Sequence, residues 1–265
     1  MKHDYIDIHS HISFPQFDDD RDEVFERMCD AKTSTITVSV DFESSKRAVE
    51  VAEQYKDVYA TIGLHPADNK KESFDAKEYA SLVENKKVVA VGECGLDYFR
   101  IDNSDETEKE RQRVEFSKQI EFAMEHNLPL MIHGRPSQET MDAYEDILLE
   151  LTPFKGQVLG NIHFFVGTEE VARKFFDLGF TLSFSGVITF TNEYDELIKN
   201  APLEMLMSET DSPYATPVPH RGKRNEPSYV SIVTEKIADI RGEGREKVLQ
   251  QILQNAEKVF GISDK

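Results

Sequence analysis

Cysteine is almost absent from this chain of 265 residues, with only Cys29 and Cys94, 65 positions apart. Two thiols at that separation give neither the disulfide framework of a small extracellular fold nor a zinc-finger spacing, and both read as reduced structural thiols. No apolar stretch approaches the roughly 20 residues that cross a bilayer. Met1-Lys-His-Asp runs straight into the first apolar run, without the hydrophobic region of a signal peptide or an Arg-rich presequence. A cytoplasmic location with no membrane contact is expected. Positive charge is scarce too: 31 Lys and Arg stand against 50 Asp and Glu, a net charge of −19. That balance argues against a protein that coats long duplex DNA, while a small, deep site holding cations remains compatible with it. Repeats, low-complexity segments and linkers are missing as well, so residues 1–265 are read as a single domain, with 39% hydrophobic residues to supply its core.

What the chain does contain is a series of short apolar runs, each closing on a residue able to hold a metal. The first is Tyr5-Ile-Asp-Ile-His9-Ser-His11. In a β-strand, side chains i and i+2 point to the same side, so His9 and His11 can reach one point in space. Alone, such a pair near a chain start is commonly two solvated residues. Here it is answered by Tyr59-Ala-Thr-Ile-Gly-Leu-His65, Val88-Val-Ala-Val-Gly-Glu93, Leu130-Met-Ile-His133, Val158-Leu-Gly-Asn-Ile-His163 and Met205-Leu-Met-Ser-Glu209-Thr-Asp211.

Helical patterns separate these runs. Residues 20–31 carry Val24, Phe25 and Met28 at helical spacing. Residues 44–55 place Ala48, Val51, Ala52 and Tyr55 on one face, with Asp41 or Ser44 as the cap and capping the preferred reading of Asp41. Residues 74–84 return as helix. Thr107-Glu-Lys-Glu110 fits a capping box opening a long helix, with Phe116, Ile120 and Ala123 inward and its end near Asn127. Helices are also expected over 138–151, 168–178, 194–200, 228–240 and 245–260. The alternating, β-branched run 35–40 reads as a strand, and 88–92, apolar on both faces, suits a covered parallel sheet. Taking His9, Asp41, His65, Glu93, His133, His163, Ser185 and Asp211 as strand ends, the intervals are 32, 24, 28, 40, 30, 22 and 26 residues. Eight ends at that spacing predict a (β/α)8 TIM barrel. A doubly wound open sheet is the alternative, but no glycine-rich phosphate loop marks its switch point.

In such a barrel all C-terminal strand ends converge on one face, so four histidines (His9, His11, His133, His163) and two carboxylates (Glu93, Asp211) would surround one pocket. Six ligands exceed the need of one tetrahedral ion. Two divalent ions are expected, one on His9, His11 and Asp211, the other on His133 and His163, with Glu93 between them. Such a pair acidifies a bound water for displacement at phosphorus or carbon, and Asp211 could serve as general base. His65 could orient substrate, support a ligand residue or pack against Pro66. The metal, with Mg, Mn and Zn among the candidates, is left open. Arg135, Arg221, Lys223 and Arg224 offer local positive charge for a substrate in an otherwise acidic protein, or are solvated loop charges. Asn225-Glu-Pro227 could open a helix whose free amides face a phosphate.

These residues also fall into motifs. Ile6-Asp-Ile-His-Ser-His11, Ile62-Gly-Leu-His-Pro66, Val91-Gly-Glu-Cys-Gly-Leu-Asp-Tyr98, Leu130-Met-Ile-His-Gly-Arg135, Leu182-Ser-Phe-Ser-Gly186, Ser208-Glu-Thr-Asp-Ser-Pro-Tyr214 and, most specific, Pro217-Val-Pro-His-Arg-Gly-Lys-Arg-Asn-Glu-Pro227 follow one another in order. In them the chain resembles the TatD-type metal-dependent deoxyribonucleases of the amidohydrolase-like barrel superfamily, from residue 6 to the helix after Pro227. The resemblance implies a two-metal hydrolase cleaving phosphodiesters, often 3′ to 5′ on single-stranded DNA, with some members acting on RNA and near relatives removing D-amino acids from tRNA. A nucleic-acid substrate, single-stranded DNA ends foremost, is therefore expected, with no obligate protein partner evident. One departure stands out: where members usually carry His-Cys-Phe-Ser-Gly, this chain has His163-Phe-Phe-Val-Gly167. The competing readings are a metal-dependent ester or amide hydrolase, such as a D-aminoacyl-tRNA deacylase, and a non-catalytic metal-binding scaffold.

Overall fold

The short apolar runs form parallel strands, and the amphipathic stretches between them lie across the outside. The computed structural model describes residues 3–102 and 104–262. Met1 and Lys2, where the chain was read for targeting signals, and residues 103 and 263–265, which the single-domain reading includes, lie outside the described residues. In chain order the elements are β1 (Tyr5–Ser10), α1 (Arg21–Asp30), β2 (Thr33–Thr37), α2 (Phe42–Gln54), β3 (Val58–Ile62), α3 (Ala76–Val83), β4 (Val88–Asp97), α4 (Glu106–His126) and β5 (Leu130–Arg135). They continue with α5 (Asp142–Leu151), β6 (Gly160–Ile162), α6 (Glu169–Leu178), β7 (Thr181–Phe184), α7 (Asp195–Asn200), β8 (Leu206–Ser208), α8 (Val230–Arg241) and α9 (Arg245–Phe260). Neighbours pair in parallel, in sequence order from β1 to β8. The ring closes just beyond β8, where the Asp211 N–H donates to His9 O (2.9 Å) and the His11 N–H to Ser212 O (2.7 Å). This is the expected (β/α)8 barrel. The open-sheet alternative fails because no strand order reverses.

Each helix buries one face against the ring. On α4, Phe116, Ile120 and Ala123 have no exposed surface, and burial of each large side chain is worth about 1.5–3 kcal/mol. On α2 the buried face is Ala48, Val51 and Ala52, and its cap is Asp41, whose carboxylate accepts from the Ser44 N–H at 2.8 Å.

Four local expectations are corrected. The capping box at Thr107 does not form. Asp105 caps α4 instead, accepting from the Glu108 N–H at 3.0 Å, so the helix starts before Thr107. The helix expected from 138 starts only at Asp142, whose carboxylate accepts from the Ser137 N–H and hydroxyl and the Thr140 hydroxyl. That local bonding offers the backbone an alternative to helix. Cys29 is exposed, which removes it from the structural thiols and leaves the buried Cys94. Finally, β4 does not stop at Gly92: it runs to Asp97 with a register shift between Val91 and Cys94. Gly95 makes this possible, since its φ is 130° and a Cβ there would overlap the His133 carbonyl.

Candidate metal centre

All the metal-competent residues singled out from the sequence meet at the C-terminal mouth of the barrel, in a cleft of about 900 Å³ lined by His11, His65, Glu93, His133, His163 and Asp211 among others. His9 lies directly beneath, fully buried. Most sit within or one to three residues beyond the observed strand ends, where the chain leaves the ladder and side chains turn into the mouth.

Glu93 is the centre of the arrangement. Its Oε1 is 2.8 Å from His133 Nδ1 and 2.8 Å from His163 Nε2, and its Oε2 is 3.6 Å from His9 Nε2 and 3.9 Å from His11 Nε2. Asp211 Oδ1 lies 3.4 Å from His11 Nε2 and 3.8 Å from His9 Nε2. The ring partners decide which nitrogens face inward with a lone pair. His11 Nδ1–H donates to Val38 O at 2.9 Å, His133 Nε2–H to Asp97 Oδ2 at 3.2 Å, and His163 Nδ1 stands 3.5 Å from the buried Glu209 Oε1. The inward atoms are therefore His11 Nε2, His133 Nδ1 and His163 Nε2, with His9 Nε2 completing the set. His9 Nε2 and His11 Nε2 are 3.4 Å apart, as are His163 Nε2 and His133 Nδ1.

Lone pairs facing lone pairs and carboxylates are unfavourable unless positive charge lies between them. Protons supply part of it. Burial opposes charge on His163, yet Glu93 and Glu209 push its pKa well above the usual imidazole value. Burial likewise opposes charge on His133, and its bonds to Asp97 and Glu93 raise it nonetheless. Burial would lift the Glu93 carboxyl, but His163 and His65 hold it well below the usual carboxylate range. His9, lowered well below the usual value by burial and then by His163, stays neutral. Overlapping donor sets able to hold a metal ion follow: His9, His11 and Glu93; His9, His163 and Asp211; Glu93, His133 and His163; and His65, Asp97 and His133. Nitrogen and carboxylate oxygen in this mixture suit a divalent cation.

The description of the family model that matches residues 6–261 reads TatD related DNase. The chain belongs to the TatD family. It is 40% identical over 267 residues to the uncharacterized metal-dependent hydrolase YabD of Bacillus subtilis, covering 97% of this chain and 99% of that one. It is 31% identical to the 3′-5′ ssDNA/RNA exonuclease TatD of Pantoea ananatis, covering 97% and 99%. Among solved structures, the TatD homologue YjjV of Escherichia coli matches with a TM-score of 0.89 at 28% identity, over 99% of this chain and 100% of that one. This TatD-family chain is a metal-dependent hydrolase. No helix among its described residues is long and apolar enough to cross a membrane.

Within this TatD-family site, His65 is fixed by its loop. Its Nδ1 accepts from the Ala67 and Asp68 N–H groups at 3.1 and 3.2 Å, so the ring proton sits on Nε2, 3.6 Å from Glu93 Oε1. Burial lowers its pKa to about 4, and the neutral ring presents an N–H donor to the cleft. The basic residues divide. Arg135 lines the cleft, stacked 4.0 Å over the Phe99 ring, with no carboxylate within ion-pair distance among the described residues. Arg221 lies over Phe190 at 3.6 Å, Lys223 is exposed, and neither is among the residues lining the cleft. Arg224 is committed elsewhere, to Asp20 at 2.6 and 2.8 Å and to Gln16 O at 2.7 Å. Of the amides after Asn225, the Glu226 N–H donates to the Asn225 side-chain oxygen at 3.0 Å. Asn225 is buried, donating to Thr210 O and Tyr214 O, and Glu226 takes Arg27 in a two-oxygen pair.

Three residues of the site went unremarked in the sequence. Asp97 and Glu209 stand behind His133 and His163. Asp7, fully buried, accepts from the Thr210 N–H (2.8 Å) and hydroxyl (2.6 Å), tying β1 to the segment that carries Asp211. The signal for two of them was a two-residue period, since Asp97 follows Glu93 by four and Glu209 precedes Asp211 by two.

Proposed function

We propose that this TatD-family hydrolase cleaves phosphodiester bonds at the ends of single-stranded nucleic acid, DNA foremost, using two divalent ions per chain. The observation that carries this reading is Glu93, which offers one carboxylate oxygen to each of two imidazole pairs. His9, His11 and Asp211 would hold one ion and His133 and His163 the other, with Glu93 shared. Bound there, divalent ions supply an acidified water and a clamp on the attacking and leaving oxygens.

The chain's own groups do the rest. Asp211, its side chain partly open to the cleft, accepts the proton of the attacking water. His65 donates its Nε2–H to a non-bridging phosphate oxygen rather than serving as a ligand, because the two backbone N–H groups occupy its other nitrogen. Arg135 is the cleft cation free to meet the phosphate, while Arg100 is paired with Asp68 and Asp97. A name given to one relative, the 3′-5′ exonuclease of Pantoea ananatis, supports the same polymer and direction.

The test is incubation of the protein with a 5′-labelled single strand and Mg²⁺, Mn²⁺ or Zn²⁺. A ladder shortened from the 3′ end, abolished by chelator and by Asp211→Asn, is expected. Intact oligonucleotide under every metal removes the proposal. Release of amino acid from D-aminoacyl-tRNA in its place would move the chemistry to carbon.

A further inference from the structure

One wall of the cleft has no part in the hydrolytic chemistry. Phe164, which follows His163 in the chain, has φ 46°, a left-handed backbone that bulky residues rarely adopt and that persists where the surroundings enforce it. The turn sends Phe165 into the core, buried against Tyr144 with its N–H on Ser183 O. The ring of Phe164 is left on the cleft. It meets the His163 ring edge-on, 6.3 Å away at 78°, and among the described residues no ring stacks on its faces. Val166 and Met141 line the same cleft. Positions 164 and 166 are those at which the chain departs from the family's usual Cys and Ser, and both departures add apolar surface beside a metal-competent histidine.

The charge around this wall excludes a long phosphate track. Apart from Glu93 and Asp211, the cleft is lined by Asp68, Glu139 and Glu193, against Arg100, already paired, and Arg135. One phosphate can be met by Arg135 and the donor cluster. A second and third would run past carboxylates.

We infer that Phe164, with Val166 and Met141, forms a stacking site for the base of the terminal nucleotide, so that a chain end is selected by a planar aromatic group beside the reacting phosphate and not by a run of phosphate contacts. This rests on the nuclease reading of the same cleft. Aromatic side chains commonly hold unpaired bases in this way, with little regard to sequence.

The experiment is isothermal titration of the Mn²⁺-loaded protein with dAMP and with deoxyribose 5-phosphate, for the parent, Phe164→Ala and Phe164→Leu. The parent should bind dAMP at least about tenfold more tightly than the sugar phosphate. Both variants should lose most of that ratio, with affinity for deoxyribose 5-phosphate unchanged. Phe164→Leu keeps apolar volume, so an unaltered melting temperature in it separates loss of stacking from loss of folding. Equal affinities in the parent, binding of neither ligand, or a full ratio retained by Phe164→Leu overturns the stacking site. The labelled-strand assay separates the two ideas. Cleavage with equal affinities sinks the base site and leaves the nuclease, and base preference without cleavage does the reverse.

Discussion

The two halves of the donor cluster are oriented by different means. On the β1 side His11 is held by a main-chain carbonyl, Val38 O, and His9 Nδ1 is buried with no hydrogen-bond partner among the described residues. On the β5–β6 side each ring has a carboxylate behind it, Asp97 hydrogen-bonded to His133 at 3.2 Å and Glu209 at an ion-pair distance of 3.5 Å from His163 Nδ1, which like His9 Nδ1 makes no hydrogen bond among the described residues. A carboxylate behind an imidazole fixes its tautomer and raises its basicity as a ligand. The same contrast separates His163, pushed well above the ordinary imidazole pKa, from His9, pushed well below it. If the two sides hold ions as proposed, the β5–β6 side should be the tighter of the two. The β1 side, with Asp211 partly open to the cleft, is where an ion would exchange and substrate approach.

The largest effect should come from the group both halves share. Glu93→Ala removes an oxygen from each, and turnover should fall by about 10³-fold, with both ions lost on metal analysis of the purified protein. Retention of two ions would show that the halves do not depend on a common bridge. Next come the backing carboxylates: Asp97→Asn and Glu209→Gln should each weaken one ion by about 10–100-fold and leave the other in place. Equal weakening of both ions would erase the difference between the halves.

A pH titration sharpens the contrast. In the metal-free protein His163 and His133 have raised pKa values. Their contribution to stability is fully present below the unfolded imidazole pKa of about 6.5 and is lost as pH rises through the folded values. A cation must displace those protons. Below the raised values, affinity of the β5–β6 side should fall by about tenfold per pH unit for each proton displaced, while on the β1 side His9 is already neutral and only His11, which burial would lower but Asp211 and Glu93 raise, has a proton to release, so the slope there should be shallower. Competition titrations across pH, with proton release measured in buffers of different ionisation enthalpy, would reveal it. Parallel pH slopes for the two ions would contradict it.

Why one half was more legible than the other in the sequence follows from the same structure. His9 and His11 declare themselves by their two-residue spacing, and the strand-end histidines by the runs before them, because a barrel converts chain order into a ring. The carboxylate behind His133 was hidden by where its strand was taken to stop. With β4 ended at Gly92, Asp97 fell into a loop; the register shift between Val91 and Cys94, after which Gly95 passes close against the His133 carbonyl of β5, keeps the strand going and is not recorded in one chain segment. Ring tautomers depend on partners distant in sequence, such as Val38 for His11, and so were out of reach. The caps fared unevenly for a similar reason. Asp41 and Ser44 turned out to be partners in one capping box, whereas Asp105 and Thr107 competed within three residues and only the packed start of α4 decided between them. In the basic loop, composition showed clustered charge and offered both substrate contact and solvated charge as readings, without the acids of α1 and its approach in view; the pairing of Arg224 with Asp20 is one that only the fold displays.

That loop provides the smallest and most discriminating test. Arg135, at the end of β5, has the cleft in front of it and no carboxylate within ion-pair distance among the described residues. Arg224 is a third exposed, paired with Asp20 and lying 4.4 Å from the Phe17 ring. Arg135→Ala should raise the KM for a labelled oligonucleotide by about tenfold or more, the scale of one charge-assisted hydrogen bond. Arg224→Ala should leave KM within about twofold and lower stability by no more than about 1 kcal/mol, since a surface pair is worth little. If instead Arg224→Ala raises KM as strongly as Arg135→Ala, the strand must cross the mouth towards α1. Substrate would then reach the β1 half from behind its loop, and the division between a tight inner ion and an exchangeable outer one would have to be redrawn around that path.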